Sequence, residues 1–139
     1  FISKDKLMIS IQLFAYILFL HYLGDYIFQP YSMSVQKSED HMMLLYHTII
    51  YSGTIYFGLL FVVGVNKAIT FTVLTFLTHY MVDFVTSRII SDNSSELRLD
   101  PDSKKPIHKR LKLWGPISLL GFDQLLHQAC LLITAAVVF

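Results

Sequence analysis

Three pairs of histidine and aspartate are the residues of this sequence best suited to chemistry. Each pair joins an imidazole and a carboxylate four residues apart, and the pairs are His21 with Asp25, His79 with Asp83, and Asp123 with His127. Because four residues make about one helical turn, both side chains of a pair leave the same face of a helix. A lone His47 lies in a further apolar segment. Imidazole and carboxylate are metal ligands, and they also exchange protons in catalysis.

The chain around these pairs is too apolar for an ordinary soluble domain. It has 139 residues, of which 54% are hydrophobic, and its mean hydropathy is +0.53. A helix needs about 20 apolar residues to cross a bilayer, and four segments are that long, approximately 7–28, 42–64, 68–90 and 114–139. We therefore predict an all-α fold, in which residues 1–139 form a single integral-membrane domain with a bundle of four transmembrane helices.

The connections between these segments are predicted to be short, with one exception. The first segment ends at Gln29-Pro30, because proline disfavours a helical conformation at the preceding residue. The second ends in a tight connection over residues 64–67. Residues 91–112 are rich in Ser, Asp, Pro and Lys, and Pro101 and Pro106 argue against a continuous helix there. We predict one extended basic loop between the third and fourth helices.

Lysine and arginine are distributed unequally between the two sides of the predicted bundle. Three lie on the side of the termini, namely Lys4, Lys6 and Lys67. Eight lie on the other side, namely Lys37, Arg88, Arg98, Lys104, Lys105, Lys109, Arg110 and Lys112. Because cytoplasmic loops carry the excess of positive residues, we predict that the basic loop faces the cytoplasm. The protein would then be a multi-pass protein of the inner (cytoplasmic) membrane with both termini outside.

The three pairs and His47, seven residues in all, are predicted to form one site in the cytoplasmic half of the bilayer. A rise of about 1.5 Å per residue places all of them about 5 to 20 Å from the cytoplasmic boundary. The third pair has the reverse order on a helix that runs the opposite way, so every aspartate lies nearer the cytoplasm than its histidine. Four polar neighbours are predicted to support the site, namely Gln29, Tyr51, Thr75 and Gln124. His41 and His108 fall at a boundary and in a loop, and we exclude them.

The predicted site is a metal site. Ionisable side chains cost roughly 2.5 to 3.5 kcal/mol each at mid-membrane, so three such pairs need a cause, and a cation would offset the cost of the carboxylates. Four imidazoles and three carboxylates suit a divalent transition metal, above all Zn, with Fe or Mn as alternatives. Seven ligands would also support two ions. The predicted ligands are His21, Asp25, His47, His79, Asp83, Asp123 and His127.

We interpret the protein as a metal-dependent hydrolase of an amide or ester bond in a lipid-linked substrate. A metal with an open position activates water, and Asp25 or Asp123 would act as general base. The basic loop would hold anionic head groups; nucleic-acid binding is a weaker interpretation of it. Two other functions stay open: movement of ions or protons along the buried groups, and a non-catalytic structural or partner-binding subunit of a membrane complex. Because a bundle of this size buries little, we also expect a homo-oligomer or a larger assembly.

The motifs resemble a known family. His21-Tyr22-Leu23-Gly24-Asp25-Tyr26 with Gln29, His47, His79 with Asp83, and Asp123-Gln124 with His127 are similar to the ordered motifs of small bacterial and phage membrane proteins of domain-of-unknown-function family 3307. The resemblance spans nearly the whole chain and implies a four-span helical membrane protein whose polar residues act together. In chemistry alone the pattern is also similar to membrane-embedded zinc hydrolases such as alkaline ceramidases. This chain has fewer spans than those enzymes and no matching serine motif.

Overall fold

The described part of the chain is helical. The structure is a computed structural model that describes residues 4–98 and 116–139, with side chains described for residues 10–91 and 118–139. The elements are α1 (Lys4–Tyr22), a π-helical turn (Leu23–Ile27), α2 (Tyr31–Gln36), α3 (His41–Val63), α4 (Val65–Arg98) and α5 (Pro116–Val138). Within these residues all regular structure is helical, which confirms the predicted all-α class.

Among the residues that the structure describes, three helices are long and apolar enough to cross a membrane, namely α3, the part of α4 up to Ser91, and α5 from Ser118. Their outer faces carry large apolar side chains. Phe57, Phe61 and Val137 are 67%, 89% and 72% exposed, which suits contact with lipid and would be costly in water. A fourth span over α1 stays a prediction, because part of that helix lies outside the described side chains.

One glycine connects α3 and α4. Gly64 has φ +80° and ψ 161°, a backbone region that essentially only glycine occupies. The predicted connection over residues 64–67 is therefore shorter than expected, and α4 begins at Val65. Such a short link forces the two helices to run antiparallel and side by side.

The polar segment after Pro30 contains a short helix that was not predicted. The helix α2 buries Met33 and packs against α3. Asp40 then begins α3, because its carboxylate accepts a hydrogen bond from the backbone N–H of Met42 at 2.7 Å, as an N-cap residue does. The helix α2 and this cap together fix the position of Lys37.

The other end of α4 also differs from the prediction. The helix continues to Arg98, although the loop was expected from residue 91, and no proline interrupts it before Pro101. The predicted basic stretch Lys104–Lys112, the two prolines and Trp114 lie outside the described residues.

The helices pack around two different interiors. The helix α4 lies between α3 and α5, while α1 and its π turn pack against α3. Toward the Gly64 connection lies a hydrophobic core cluster that consists of Ile17, Leu20, Tyr51, Ile55, Leu59, Ala68, Phe71 and Leu131. Toward α2 the buried side chains include the histidines and aspartates, together with Met33, Leu44, Thr48 and Thr86. We call these the apolar end and the α2 end.

Candidate metal centre

Six of the seven predicted ligands converge in two groups at the α2 end. The first group consists of Asp25, His47, His79 and Asp83, and the second of Asp83, Asp123 and His127. In each group every residue offers one ligand atom, and these atoms all lie within 4.8 Å of one another. All six residues are buried. Asp83 belongs to both groups.

The first group brings two nitrogens and two oxygens to one point. His47 Nε2 lies 3.0 Å from His79 Nε2. It also lies 3.2 Å from Asp25 Oδ1 and 3.1 Å from Asp83 Oδ2. His79 Nε2 lies 3.7 Å and 3.5 Å from the same two oxygens. Three helical segments, the π turn, α3 and α4, therefore supply one ligand set, with two of the donors from α4.

The π turn positions Asp25. Its wider turn is closed by the N–H of Phe28, which donates to the carbonyl of Leu23 at 2.9 Å, and such turns are frequent at functional sites. A Cβ at Gly24 would lie 2.9 Å from Tyr51 Cδ2 and 3.2 Å from Tyr51 Cα. Glycine thus lets the turn approach α3 closely enough for Asp25 to join the group. Asp25 Oδ1 is buried and has no hydrogen-bond partner in the described structure.

The second group lies on the other side of Asp83. His127 Nε2 is 3.7 Å from Asp83 Oδ1. His127 Nδ1 lies 3.0 Å from the backbone carbonyl oxygen of Asp123, and since a carbonyl only accepts, Nδ1 carries the proton. Nε2 therefore presents a lone pair. Asp123 is held by the hydroxyl of Thr86, which donates to Oδ1, and by the side-chain amide of Gln124, which donates to Oδ2 at 3.2 Å.

His21 is the predicted ligand that joins neither group. Gln124 must direct its N–H groups at the carboxylates, and it donates to Asp25 Oδ2 at 3.0 Å. Its amide oxygen therefore accepts from His21 Nε2 at 3.1 Å, and His21 Nδ1 accepts from the hydroxyl of Tyr51 at 3.1 Å. Both ring nitrogens of His21 are thus occupied. His21 links Tyr51 to the carboxylates instead of facing the ligand groups.

Lys37 is a site residue that the sequence did not reveal. Its Nζ donates to Asp83 Oδ2 at 2.9 Å, and its side chain is only 12% exposed. Burial alone would lower the pKa of Lys37, but the carboxylates of Asp83 and Asp25 outweigh it and hold that pKa above its ordinary value. Lys37 is therefore a buried positive charge. Its contact with Asp83 joins residues 46 positions apart, which no local spacing predicts.

The comparison with protein families identifies the chain. Residues 13–139 match the family described as "Protein of unknown function (DUF3307)". The chain belongs to this family. The match confirms the resemblance seen in the sequence motifs, and its description carries no reaction. No curated protein and no solved structure matches the chain.

In this DUF3307 protein the two groups border a cavity of about 610 Å³. All three aspartates line it, and none of the four buried histidines does. The carboxylates thus form the layer next to the cavity and the imidazoles the layer behind it. Most other lining side chains are polar or amphipathic, and they include Tyr26, Gln29, Ser34, Lys37, Thr86, Ser87 and Gln124. Val35, Ile90 and Leu120 add apolar surface to the wall.

The predicted supporting residues have different surroundings. Tyr51 stacks on His79 with 3.7 Å between the ring centroids, and Gln124 contacts three predicted ligands. Gln29 lines the cavity, and its Nε2 has no partner among the described residues. Thr75 is buried, and its hydroxyl has no partner there either. Thr86 was not predicted, although it follows Asp83 by three residues and therefore lies on the same face of α4.

Proposed function

We propose that this protein is an integral-membrane metalloprotein whose first group binds a divalent transition-metal ion, Zn²⁺ before Fe²⁺ or Mn²⁺. The spacing of the four donor atoms carries this proposal. Zinc ligands at about 2.0 to 2.1 Å in a tetrahedron lie about 3.3 Å from one another. The five separations given for the first group range from 3.0 to 3.7 Å.

The balance of charge supports one bound divalent ion. The buried groups at this end include three carboxylates, Asp25, Asp83 and Asp123, and one ammonium, Lys37. With neutral histidines, two negative charges remain uncompensated. Buried charge is costly unless it is paired, and a divalent cation supplies the two missing positive charges.

The reaction that we propose is hydrolysis of an amide or ester bond in a lipid-linked substrate. The adjoining cavity is in the size range of small-molecule sites, about 300 to 1,000 Å³. Four protein ligands fill a tetrahedral site, so water or the substrate carbonyl would enter as a fifth ligand, an expansion that zinc allows. A metal in that position would polarise the carbonyl and lower the pKa of bound water. Asp25 belongs to the ligand group, so of the two aspartates predicted as catalytic Asp123 is left to accept the proton. Thr86 and Gln124 hold its carboxylate at the cavity wall.

Ion or proton movement is less well supported. It requires a polar path that continues beyond the histidines. Thr75 and Thr134 are buried there, but so are the large apolar side chains of Ile55, Leu59 and Phe71. The second described cavity, about 270 Å³ near α1 and α5, is also lined mainly by apolar side chains. A polar site at one end of the bundle, with an apolar core beyond it, is more consistent with a catalytic site than with a path for ions or protons across the membrane.

Elemental analysis of the full chain, purified in detergent, tests the metal. We expect at least about one equivalent of transition metal in the wild type and a loss of most of it in His79→Ala. His41→Ala is the matched control, because His41 is exposed and lies against Phe84 rather than in either group. Wild-type protein without metal after exposure to Zn²⁺, or His79→Ala with unchanged metal, would overturn the proposal.

The reaction is tested separately with fluorogenic lipid esters and amides in mixed micelles. Chelation should abolish hydrolysis, Zn²⁺ should restore it, and Asp123→Asn should lower the rate at least about 100-fold, the usual scale of a general base. Hydrolysis that survives complete removal of metal would contradict the proposed mechanism. A metal-loaded protein that cleaves none of these lipids would remove the hydrolase proposal and leave the metal centre.

A further inference from the structure

We propose that the α2 end holds a second metal ion, bound by the second group of Asp83, Asp123 and His127, with Asp83 as the carboxylate that bridges both ions. This inference rests on the proposed function, because the first ion shares Asp83. It adds a distinct binding position on the α5 side of the site.

Asp83 has the geometry of a bridge. Its Oδ2 faces the first group, 3.1 Å from His47 Nε2. Its Oδ1 faces the opposite way, 3.7 Å from His127 Nε2. The side chain is 2% exposed, so surrounding atoms fix which oxygen faces which group. Ions in two-metal sites lie about 3.5 to 4 Å apart, a separation that one carboxylate spans.

His127 gives independent support for a ligand at this position. Its Nδ1–H donates to the carbonyl of Asp123, so the lone pair is on Nε2. That atom is buried and has no hydrogen-bond partner in the described structure. The hydrogen bond of Nδ1 also resembles the way metal-bound histidines are oriented, with the second ring nitrogen donating to a backbone carbonyl. A cation beside Asp83 Oδ1 would be the missing partner of Nε2.

Asp123 completes the second group from the cavity side. The bonds from Thr86 and Gln124 orient its carboxylate, and each oxygen keeps a free lone pair, since a carboxylate has about four acceptor positions. Water from the cavity would fill the remaining positions. As a ligand of the second ion Asp123 would not act as the base, so its role as proton acceptor applies to the site with one ion.

The second ion should bind more weakly than the first. One divalent ion already balances the buried charge, and a second adds two positive charges near Lys37. It also has three protein ligands where the first ion has four. Sequential binding is therefore expected, with the first group filled before the second.

Titration of the metal-free full chain in detergent with Co²⁺, as a substitute for zinc, tests this order. We expect two equivalents, with an uncoupled paramagnetic resonance signal after the first and loss of that signal by spin coupling as the second binds. His127→Ala and the more conservative His127→Gln should stop at one equivalent and keep the uncoupled signal. His41→Ala should behave as the wild type.

The outcomes separate the two proposals. A wild type that saturates at one equivalent with an uncoupled signal would overturn the second ion and leave the first group and the role of Asp123 as base intact. Two equivalents that persist in both His127 variants would overturn the assigned ligands. A chain that binds no Co²⁺ or Zn²⁺ would overturn the proposed metal centre as well.

Discussion

The two ends of the bundle are built from the same helices but are held together differently. At the apolar end, side chains such as Leu59 and Phe71 are fully buried and fill space. At the α2 end the buried groups are charged or polar, and many have one specific partner. Apolar packing is non-directional and roughly proportional to buried area. Polar contacts depend on distance, direction and protonation. Removal of one partner at the α2 end should therefore lower stability or metal affinity by a large amount.

The difference also concerns what each end can bind. The cavity at the apolar end has no charged side chain among the described residues of its wall, whereas the cavity at the α2 end has three aspartates and Lys37 beside apolar side chains such as Ile90 and Leu120. An apolar cavity is stable when empty. Converging carboxylates repel one another unless cations lie among them. The α2 end is therefore the end whose stability should depend on a ligand.

The largest expected effect is that of Lys37→Met in the metal-free protein. Removing one partner of a buried ion pair costs about 3 to 5 kcal/mol, because the other charge stays buried. We expect a loss of this size in the free energy of unfolding, measured in detergent with chelator present. Zn²⁺ should recover much of it by neutralising Asp83.

Lys67→Met is the matched control at the apolar end. Lys67 is exposed, and its ammonium lies 5.9 Å from the ring centroid of Phe139, a contact worth about 0.5 to 1 kcal/mol at an exposed site. The loss should be no larger than that and should not change with metal. Equal losses in both variants would mean that Lys37 does not compensate a buried carboxylate.

Leu59→Ala tests the apolar end by itself. Leu59 is fully buried, and truncation of such a leucine costs about 2 to 5 kcal/mol. The free energy of unfolding should fall by this amount, while the metal content of the folded protein stays that of the wild type. Leu77→Ala, at a position that is 55% exposed on α4, should cost far less. Loss of metal in Leu59→Ala would show that the two ends are coupled.

Gly24→Ala tests the contact that brings the π turn onto α3. The added Cβ would lie 2.9 Å from one Tyr51 ring carbon and 3.2 Å from the Tyr51 backbone. Overpacking of this kind costs about 1 to 3 kcal/mol, and because it displaces Asp25 it should also weaken metal binding. Gly53→Ala, whose Cβ would meet nothing within 4 Å, should be neutral or slightly stabilising. If Gly24→Ala binds metal as tightly as the wild type, the close contact between the π turn and α3 is not needed to position Asp25.

The apolar segments were enough to predict the helical class, and their limits agree with the helices to within a few residues at most boundaries. The α2 helix was missed because its six residues are too few for a recognisable periodicity. The single-residue connection at Gly64 depends on a positive φ, which glycine permits but does not require, so the sequence alone could not predict it. Orientation and the fourth span stay predictions.

For the site, the spacing of four residues predicted the pairs and their common end of the bundle. It did not distinguish His21 from His127, because each lies four residues from an aspartate in an apolar segment. What separates them is the set of partners that folding brings near each ring, Tyr51 and Gln124 for one and the free side of Asp83 for the other. Lys37 was missed for the same reason.

The smallest effect expected is that of Tyr51→Phe. The ring would keep its stacking on His79, and only the hydroxyl that donates to His21 would be lost. One such bond contributes about 1 kcal/mol to stability. His21 would then be free to turn, and its bond to Gln124 would no longer be fixed. Loss of an outer partner of a metal site typically lowers metal affinity about 10- to 100-fold, and we expect the lower end of this range in a competition titration with Zn²⁺.

Tyr16→Phe makes the comparison between the two ends direct. Its hydroxyl donates to the backbone carbonyl of Gly58 at 3.1 Å, on the apolar side of the bundle. Both substitutions remove one oxygen and one hydrogen bond, so both should lower the free energy of unfolding by a similar amount. Only Tyr51→Phe should change the affinity for zinc. Equal affinities in the two variants would mean that the chain from Tyr51 through His21 to the carboxylates stabilises the fold without orienting the ligands.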